Sequence, residues 1–99
     1  MNIMQTQKQY LVTTLAQDRV GLLSRVAMVF SRRGININAL KVSETAMKGI
    51  AQISMVVITD SRTIKQVVKQ IAKQVEVMQA YSNEQPVWEA SLEMHKQVV

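Results

Sequence analysis

The chain has 99 residues, which suits one small domain, and its apolar content of 47% is typical of a globular protein and argues against disorder. Twelve basic residues against seven acidic ones give a net charge of +5. The absence of cysteine excludes disulfides, thiolate metal ligands and a cysteine nucleophile, and no apolar run approaches the ~18 residues that a membrane span needs.

The first half of the chain predicts a strand, a helix and a second strand. The segment QYLVTTLAQ (residues 9–17) is rich in residues that favour strands. Residues 19–33 predict a helix, because apolar residues recur there at helical spacing: Leu22, Leu23, Val26, Val29 and Phe30. Asp18 is its expected N-cap, and Gly34 stands where a left-handed glycine ends a helix. Residues 35–43 begin with the alternation ININ and predict the second strand.

The second half repeats this pattern after a turn at residues 44–49. IAQISMVVIT (residues 50–59) predicts a third strand, and DSRT opens a second helix that Asp60 or Ser61 can cap. Its apolar residues recur at the spacing i, i+3, i+4, i+7: Ile64, Val67, Val68 and Ile71. VEVMQAYS (residues 75–82) predicts the fourth strand, and residues 83–99 are expected to form a separate C-terminal tail.

This order predicts an α+β fold, a ferredoxin-like βαββαβ sandwich over residues 8–82, with a four-stranded antiparallel sheet and both helices on one face. The third strand is apolar on both sides, although the second face of such a sheet has no helix over it. Either the tail residues Val87, Trp88 and Leu92 fold back over that face, or another chain covers it or pairs with an edge strand. The small surface that so short a domain buries favours association.

The positive charge raises the question of nucleic acid. Lys65, Lys69 and Lys73 lie on one helix face, but the chain has only four aromatic residues to act as stacking platforms. We therefore interpret the lysines as a solvated face and expect no nucleic-acid partner and no membrane partner. With no recognisable signal peptide and no cysteine, the expected location is the cytoplasm.

Residues that would indicate catalysis are scarce. The single histidine, His95, lies in the tail, and helix capping accounts for Asp18 and Asp60. No carboxylates are spaced as in acid–base or metal sites, and the glycines stand alone at positions 21, 34 and 49. We interpret the chain as a binding module that is not an enzyme and carries no metal or cofactor.

Gly21 follows Asp18 in the first turn of the predicted helix, where glycine costs about 0.5–1 kcal/mol relative to alanine. A helix N-terminus presents free N–H groups that suit a carboxylate, and a residue without Cβ lets a ligand approach them. Gly21 could equally relieve packing against a strand or ease a tight turn. The residues alone leave both readings open.

The turn DRVGLL (residues 18–23) resembles the one that opens the first helix of ACT domains, a family of modules that sense small molecules. The longer segments GLLSRVAMVFSRRGININALKVS (residues 21–43) and TIKQVVKQIAKQVEV (residues 63–77) resemble the small regulatory subunits of acetohydroxyacid synthase, also called acetolactate synthase. This resemblance spans roughly residues 8–96. It implies a non-catalytic subunit that activates a large catalytic subunit in branched-chain amino acid biosynthesis and mediates feedback inhibition. The thiamine diphosphate, flavin and magnesium of that enzyme would belong to the large subunit.

The same resemblance implies a homodimer in which two domains form one continuous sheet, with a branched-chain amino acid, typically valine, bound between them. The implied effector-binding residues come from the first turn of one chain and the second strand of its partner: Asp18, Val20, Gly21, Leu22, Asn36 and Ile37. Gly21 and Leu22 would offer N–H groups to the effector carboxylate, and Asp18 would face its ammonium group.

Two features depart from the family pattern. Many relatives carry asparagine at the position of Asp18, which bears on effector affinity and identity. Many also continue into a further domain, whereas residues 83–99 are expected to be an interaction arm. A stand-alone ACT sensor that regulates another metabolic enzyme is the alternative function.

Overall fold

The computed structural model describes residues 6–85, which form a four-stranded antiparallel sheet and two helices. The elements in chain order are β1 (Lys8–Gln17), α1 (Leu22–Ser31), β2 (Ile37–Glu44), β3 (Ile50–Thr59), α2 (Ser61–Ala72) and β4 (Val77–Glu84). The strand order is β2-β3-β1-β4, so β2 and β4 are the edges. The predicted βαββαβ architecture is confirmed. Within the described residues, no helix is long and apolar enough to cross a membrane.

The main core lies between the sheet and the helices. Val12 of β1 and Met55 of β3 are fully buried and oppose each other in the register. Phe30 of α1 and Ile71 of α2 are fully buried in the same cluster. Because these apolar positions recur with period two in the strands and at helical spacing in the helices, each element turns one face inward.

The open face of the sheet, opposite the helices, carries a smaller apolar cluster. Val56 is buried there against Leu11 and Ala39, while Ile58 of the same strand is exposed. The prediction that β3 is apolar on both sides is therefore confirmed. The tail residues that were one candidate cover for this face, Val87, Trp88 and Leu92, lie outside the described residues, as does His95.

Two of the predicted helix signals are confirmed. The Asp60 carboxylate caps α2, because its Oδ1 accepts from the Thr63 backbone N–H at 2.7 Å and its Oδ2 from the Thr63 hydroxyl at 2.9 Å. Gly34 has φ +70° after α1. The N–H groups of Gly34 and Ile35 donate to the carbonyls of Ser31 and Phe30, each at 3.0 Å, in the arrangement typical of a glycine-terminated helix.

The prediction that Asp18 caps α1 is wrong. The helix begins at Leu22, three residues later than predicted, and its N-cap is Gly21, with no side-chain hydrogen bond to the first turn. The backbone N–H of Asp18 donates to the Gly49 carbonyl at 2.9 Å, which continues the β1–β3 ladder by one residue.

Other boundaries differ by a few residues. α1 ends at Ser31 because the Gly34 turn closes it, β2 begins at Ile37, and β4 extends from Val77 to Glu84. Ile35 is buried in the main core, although it lies in the connection before β2. The buried face of α1 consists of Leu22, Val26 and Phe30. Leu23, predicted on the apolar stripe of this helix, lies beside that face and is 38% exposed.

One buried polar group predicts a stabilising substitution. The hydroxyl of Thr14 on β1 is fully buried and has no hydrogen-bond partner among residues 6–85. We expect Thr14→Val to raise the free energy of unfolding by about 1 kcal/mol, because a methyl group of the same shape has no hydrogen bond to lose. Urea denaturation of both proteins measures this.

Thr63→Val is the matched control, since the Thr63 hydroxyl donates to Asp60. It should lower stability. A Thr14→Val protein less stable than the wild type would contradict the assignment of an unsatisfied hydroxyl.

Candidate functional site

The turn between β1 and α1 (residues 18–21, the β1–α1 turn) is shaped by Gly21. This residue has φ +88°, a left-handed conformation that costs other L-residues roughly 1–2 kcal/mol. A Cβ built on Gly21 would meet no atom within 4 Å, so Gly21 does not relieve a crowded contact. The structure favours a tight turn as the local reason for the glycine. It also leaves open space in front of an uncapped helix N-terminus.

A small hollow of about 80 Å³ lies beside this turn, on the helix side of the sheet. Leu22, Leu23, Val42 and Ile53 form its apolar wall, and Asp18 and Arg19 stand at its polar side. The hollow exists because α1 leaves part of β2 uncovered, so that Val42 is 48% exposed. An aliphatic group fits the apolar wall, and a charged group fits the polar side.

Asp18 also lines a second, more polar hollow of about 240 Å³ next to the β2–β3 turn. Glu44, Lys48 and Gly49 are among its other lining residues. Hydrogen bonds within the turn hold its shape, since the Thr45 hydroxyl donates to the Ile50 carbonyl at 2.9 Å and accepts from the Met47 N–H at 3.1 Å. Asp18 therefore lines two neighbouring hollows.

A third hollow, of about 540 Å³, lies at the other end of β2. Asn36 and Ile37 line it together with residues of α1 and the Gly34 turn: Ser24, Ala27, Met28, Ser31, Gly34 and Ile35. Met28 is 46% exposed there.

The expected effector residues thus fall into two groups. Asp18 and Leu22 lie near Val42, while Asn36 and Ile37 lie at the start of β2. A strand rises about 3.3 Å per residue, so Ile37 and Val42 are about 16 Å apart along β2. An amino acid is roughly 6 Å long and cannot contact both groups in one chain. Val20 lines neither hollow and its side chain is fully exposed.

An ion pair behind the turn was not predicted from the sequence. The guanidinium of Arg25 donates to both carboxylate oxygens of Glu76, at 2.6 and 3.1 Å, and to the side-chain oxygen of Gln74 at 2.9 Å. The hydrogen bonds between the two charged groups raise the pKa of Arg25 and lower the pKa of Glu76. The partners are 51 residues apart, so only the fold reveals that they meet.

The backbone N–H of Thr63 similarly lowers the pKa of the capping carboxyl of Asp60. Within residues 6–85, no group of three or more His, Asp or Glu side chains is close enough together to hold a metal ion.

Comparison with known proteins shows which family this chain belongs to. Residues 12–79 match the family model of the AHAS small subunit-like ACT domain. The chain is 34% identical over 74 residues to the acetolactate synthase small subunit of Mycolicibacterium smegmatis, and the aligned region covers 75% of this chain and 44% of that protein. It is 34% identical over 71 residues to the acetolactate synthase small subunit of Aquifex aeolicus, and the aligned region covers 72% of this chain and 37% of that protein.

Among solved structures, the acetolactate synthase small subunit of Thermotoga maritima superposes with a TM-score of 0.67 and 34% identity, over 83% of this chain and 50% of that chain. A homoserine dehydrogenase from Thiobacillus denitrificans superposes with a TM-score of 0.69, but it is only 16% identical and shares the fold alone. The superposed region covers 81% of this chain and 18% of the dehydrogenase chain.

The ion pair predicts a pH-dependent stability. A carboxyl whose pKa is lower in the folded chain adds stability above its unfolded pKa, here 4.5, and loses it as the pH falls through the folded pKa. We expect Glu76→Gln to lower Tm by about 3–5 °C at neutral pH, and the difference from wild type to shrink towards zero in acid. Thermal unfolding across this pH range measures it.

Glu84→Gln serves as the control, because Glu84 is exposed and its contact with Lys8 is 3.4 Å long. Its effect on Tm should be small at every pH. A Tm difference for Glu76→Gln that stays constant into acid would contradict the ion-pair account.

Proposed function

The chain belongs to the family of AHAS small subunit-like ACT domains, and on that basis we propose that it is a non-catalytic regulatory subunit of an acetohydroxyacid synthase. It spans less than half the length of the curated relatives it matches. In the proposed role the chain binds the large catalytic subunit, raises its activity and transmits feedback inhibition by a branched-chain amino acid, with valine the first candidate.

The observation that carries this proposal is the division of the expected effector site between the two ends of an edge strand. The β1–α1 turn and the small hollow lie beside the Val42 end of β2, and Asn36 and Ile37 lie at its start. A site whose halves are too far apart in one chain is complete only if a second chain supplies the missing half.

Antiparallel pairing of β2 with the β2 of a second copy supplies it. A twofold axis perpendicular to the sheet, near Leu40, places the start of one β2 opposite the end of the other. The Asn36 and Ile37 wall of each chain then faces the β1–α1 turn of its partner. Both helix layers stay on the same side of one eight-stranded sheet, and the exposed Leu40, Val42 and Met28 gain cover.

The chemistry of each half suits a free amino acid with an aliphatic side chain. The start of α1 has no side-chain cap and carries the positive end of the helix dipole, which suits the effector carboxylate, and the Leu22 N–H would exchange its 3.2 Å bond to the Arg19 carbonyl for the effector. The carboxylate of Asp18 attracts the ammonium group, and Leu22, Leu23 and Val42 surround the aliphatic side chain. Asp18 carries a full charge where many relatives have a neutral amide, so it strengthens the requirement for an ammonium group in the ligand.

Feedback then follows from linkage. An amino acid that bridges two chains binds the assembly best in the state that brings both halves together, and it shifts the population of the whole complex towards that state. The chain itself contributes no reacting group in this scheme, and the catalytic cofactors belong to the large subunit.

The direct experiment combines two measurements on the full chain. Isothermal titration with valine, leucine and isoleucine tests the sensor, and the activity of the large subunit with and without the chain tests the regulatory role. We expect activation that the bound amino acid reverses. If the chain neither binds nor activates the large subunit, the proposed function is wrong.

The dimer predicts a pair of contrasting substitutions. Leu40 on β2 and Ile58 on the open face of β3 are both 44% exposed. We expect Leu40→Lys to shift the chain to monomers, because it places a charge where the two β2 strands meet, while Ile58→Lys leaves the dimer intact. Analytical ultracentrifugation distinguishes the two. Loss of the dimer in Ile58→Lys but not in Leu40→Lys would place the interface on the open face.

The effector site predicts the behaviour of Gly21→Asp. Aspartate tolerates a positive φ better than most residues, and its carboxylate would occupy the N–H groups that the effector needs. We expect amino-acid affinity to fall by at least about tenfold with the dimer retained. Gln79→Asp, which adds the same charge at an exposed position of β4, should bind as wild type does. Full valine sensitivity in Gly21→Asp would contradict this role for the turn.

A further inference from the structure

The side chain of Arg25 ties the start of α1 to the connection between α2 and β4. Arg25 lies one helical turn after Gly21, and its backbone N–H donates to the Gly21 carbonyl at 3.1 Å. Its guanidinium reaches across to Glu76 and Gln74, with two hydrogen bonds to the carboxylate and one to the amide oxygen. The planar fork of arginine fits the two oxygens of a carboxylate and therefore fixes direction as well as distance.

Glu76 is also attached to the other end of the β1–α1 turn. Its backbone carbonyl accepts from the Gln17 N–H at 2.9 Å, directly before Asp18. Glu76 thus contacts both ends of the turn. Its backbone binds the end of β1, which enters the turn, and its side chain binds the start of α1, which leaves it. The Glu76 side chain is 14% exposed and the Arg25 side chain 43% exposed, so water competes for the guanidinium more than for the carboxylate.

We propose that the Arg25–Glu76 pair positions the β1–α1 turn for effector binding, by fixing the first turn of α1 relative to the end of β1. The inference rests on the proposed function, because that function gives the N–H groups of this turn a ligand. Arg25 and Glu76 line neither the small hollow nor the 540 Å³ hollow, so they act through the turn and not by contact with the ligand.

The turn needs such an external tie because it has few internal ones. No side chain caps α1, and within the turn the Leu22 N–H donates to the Arg19 carbonyl at 3.2 Å. Gly21 adds conformational freedom at the same point. Because the pair fixes both ends of the turn, the turn loses less conformational entropy when a ligand binds to it.

The experiment measures the turn with and without ligand, on the full chain. Amide hydrogen exchange at residues 18–24 should become about tenfold faster in Arg25→Gln, because the turn opens more often when the tie is lost. Valine affinity, by titration, should fall by about tenfold. Arg25→Lys should behave in the same way, since an ammonium group keeps the charge but loses the two-oxygen fork.

Arg33→Gln is the matched control. Arg33 follows the other end of α1 and donates to Gln66 and Gln70 of α2 at 2.9 and 3.1 Å. Its replacement therefore also removes side-chain hydrogen bonds that link α1 to the second half of the chain, but far from the β1–α1 turn. Exchange at residues 18–24 and valine affinity should stay within about twofold of wild type in this variant. Glu76→Gln removes the same ion pair from the other side and should lower valine affinity to the same extent. The double variant Arg25→Gln/Glu76→Gln should lower valine affinity no further than either single variant.

The outcomes separate the inference from the proposed function. Unchanged exchange at residues 18–24 in Arg25→Gln and Glu76→Gln, or an equal rise in Arg33→Gln, overturns the positioning role. A wild-type chain that binds no branched-chain amino acid defeats the effector site, and the exchange measurement still decides whether the pair positions the turn.

Discussion

The left-handed conformation of Gly21 is the constraint on which the candidate site depends. With φ at +88°, the chain leaves β1 and starts α1 within a few residues, and it does so without a capping side chain. No side chain caps the first turn of the helix, which lies at the positive end of the helix dipole, although the Leu22 N–H itself donates to the Arg19 carbonyl. The same short turn sets Asp18 and Leu22 on one hollow. A residue that preferred negative φ would alter the direction of α1 and the shape of that hollow together.

The second constraint is the position of β2 at the edge of the sheet. An edge strand presents unpaired backbone groups, and here it also carries exposed apolar side chains at Leu40 and Val42. The two halves of the expected site lie near the two ends of this strand. One feature of the fold thus accounts for both the proposed dimer and the proposed sharing of the site. The regulatory proposal follows, since a ligand held by two chains reports on their arrangement.

The sequence was sufficient for the architecture, because the signals of each element agreed. Period-two strands, the apolar stripe of α2, the Asp60 cap and Gly34 are local signals, and all were confirmed. The start of α1 was predicted wrongly because Asp18 is a good capping residue by type, while the positive φ at Gly21 is decided by the turn as a whole. The Arg25–Glu76 pair could not be predicted, since long-range contacts follow from topology and leave no periodic signal. The chemistry expected at the site came from family resemblance, and the structure shows only where those residues lie.

The most direct test of the central claim is complementation between two defective chains. Gly21→Asp damages the turn and Asn36→Ala damages the opposite wall, so each homodimer should bind valine weakly or not at all. If each site takes its two halves from different chains, a mixed dimer has one site with both halves intact. Refolding the two variants together should restore about a quarter of the wild-type sites, because about half of the dimers are mixed. Titration that finds no restored sites in a mixture with confirmed mixed dimers would contradict a shared site.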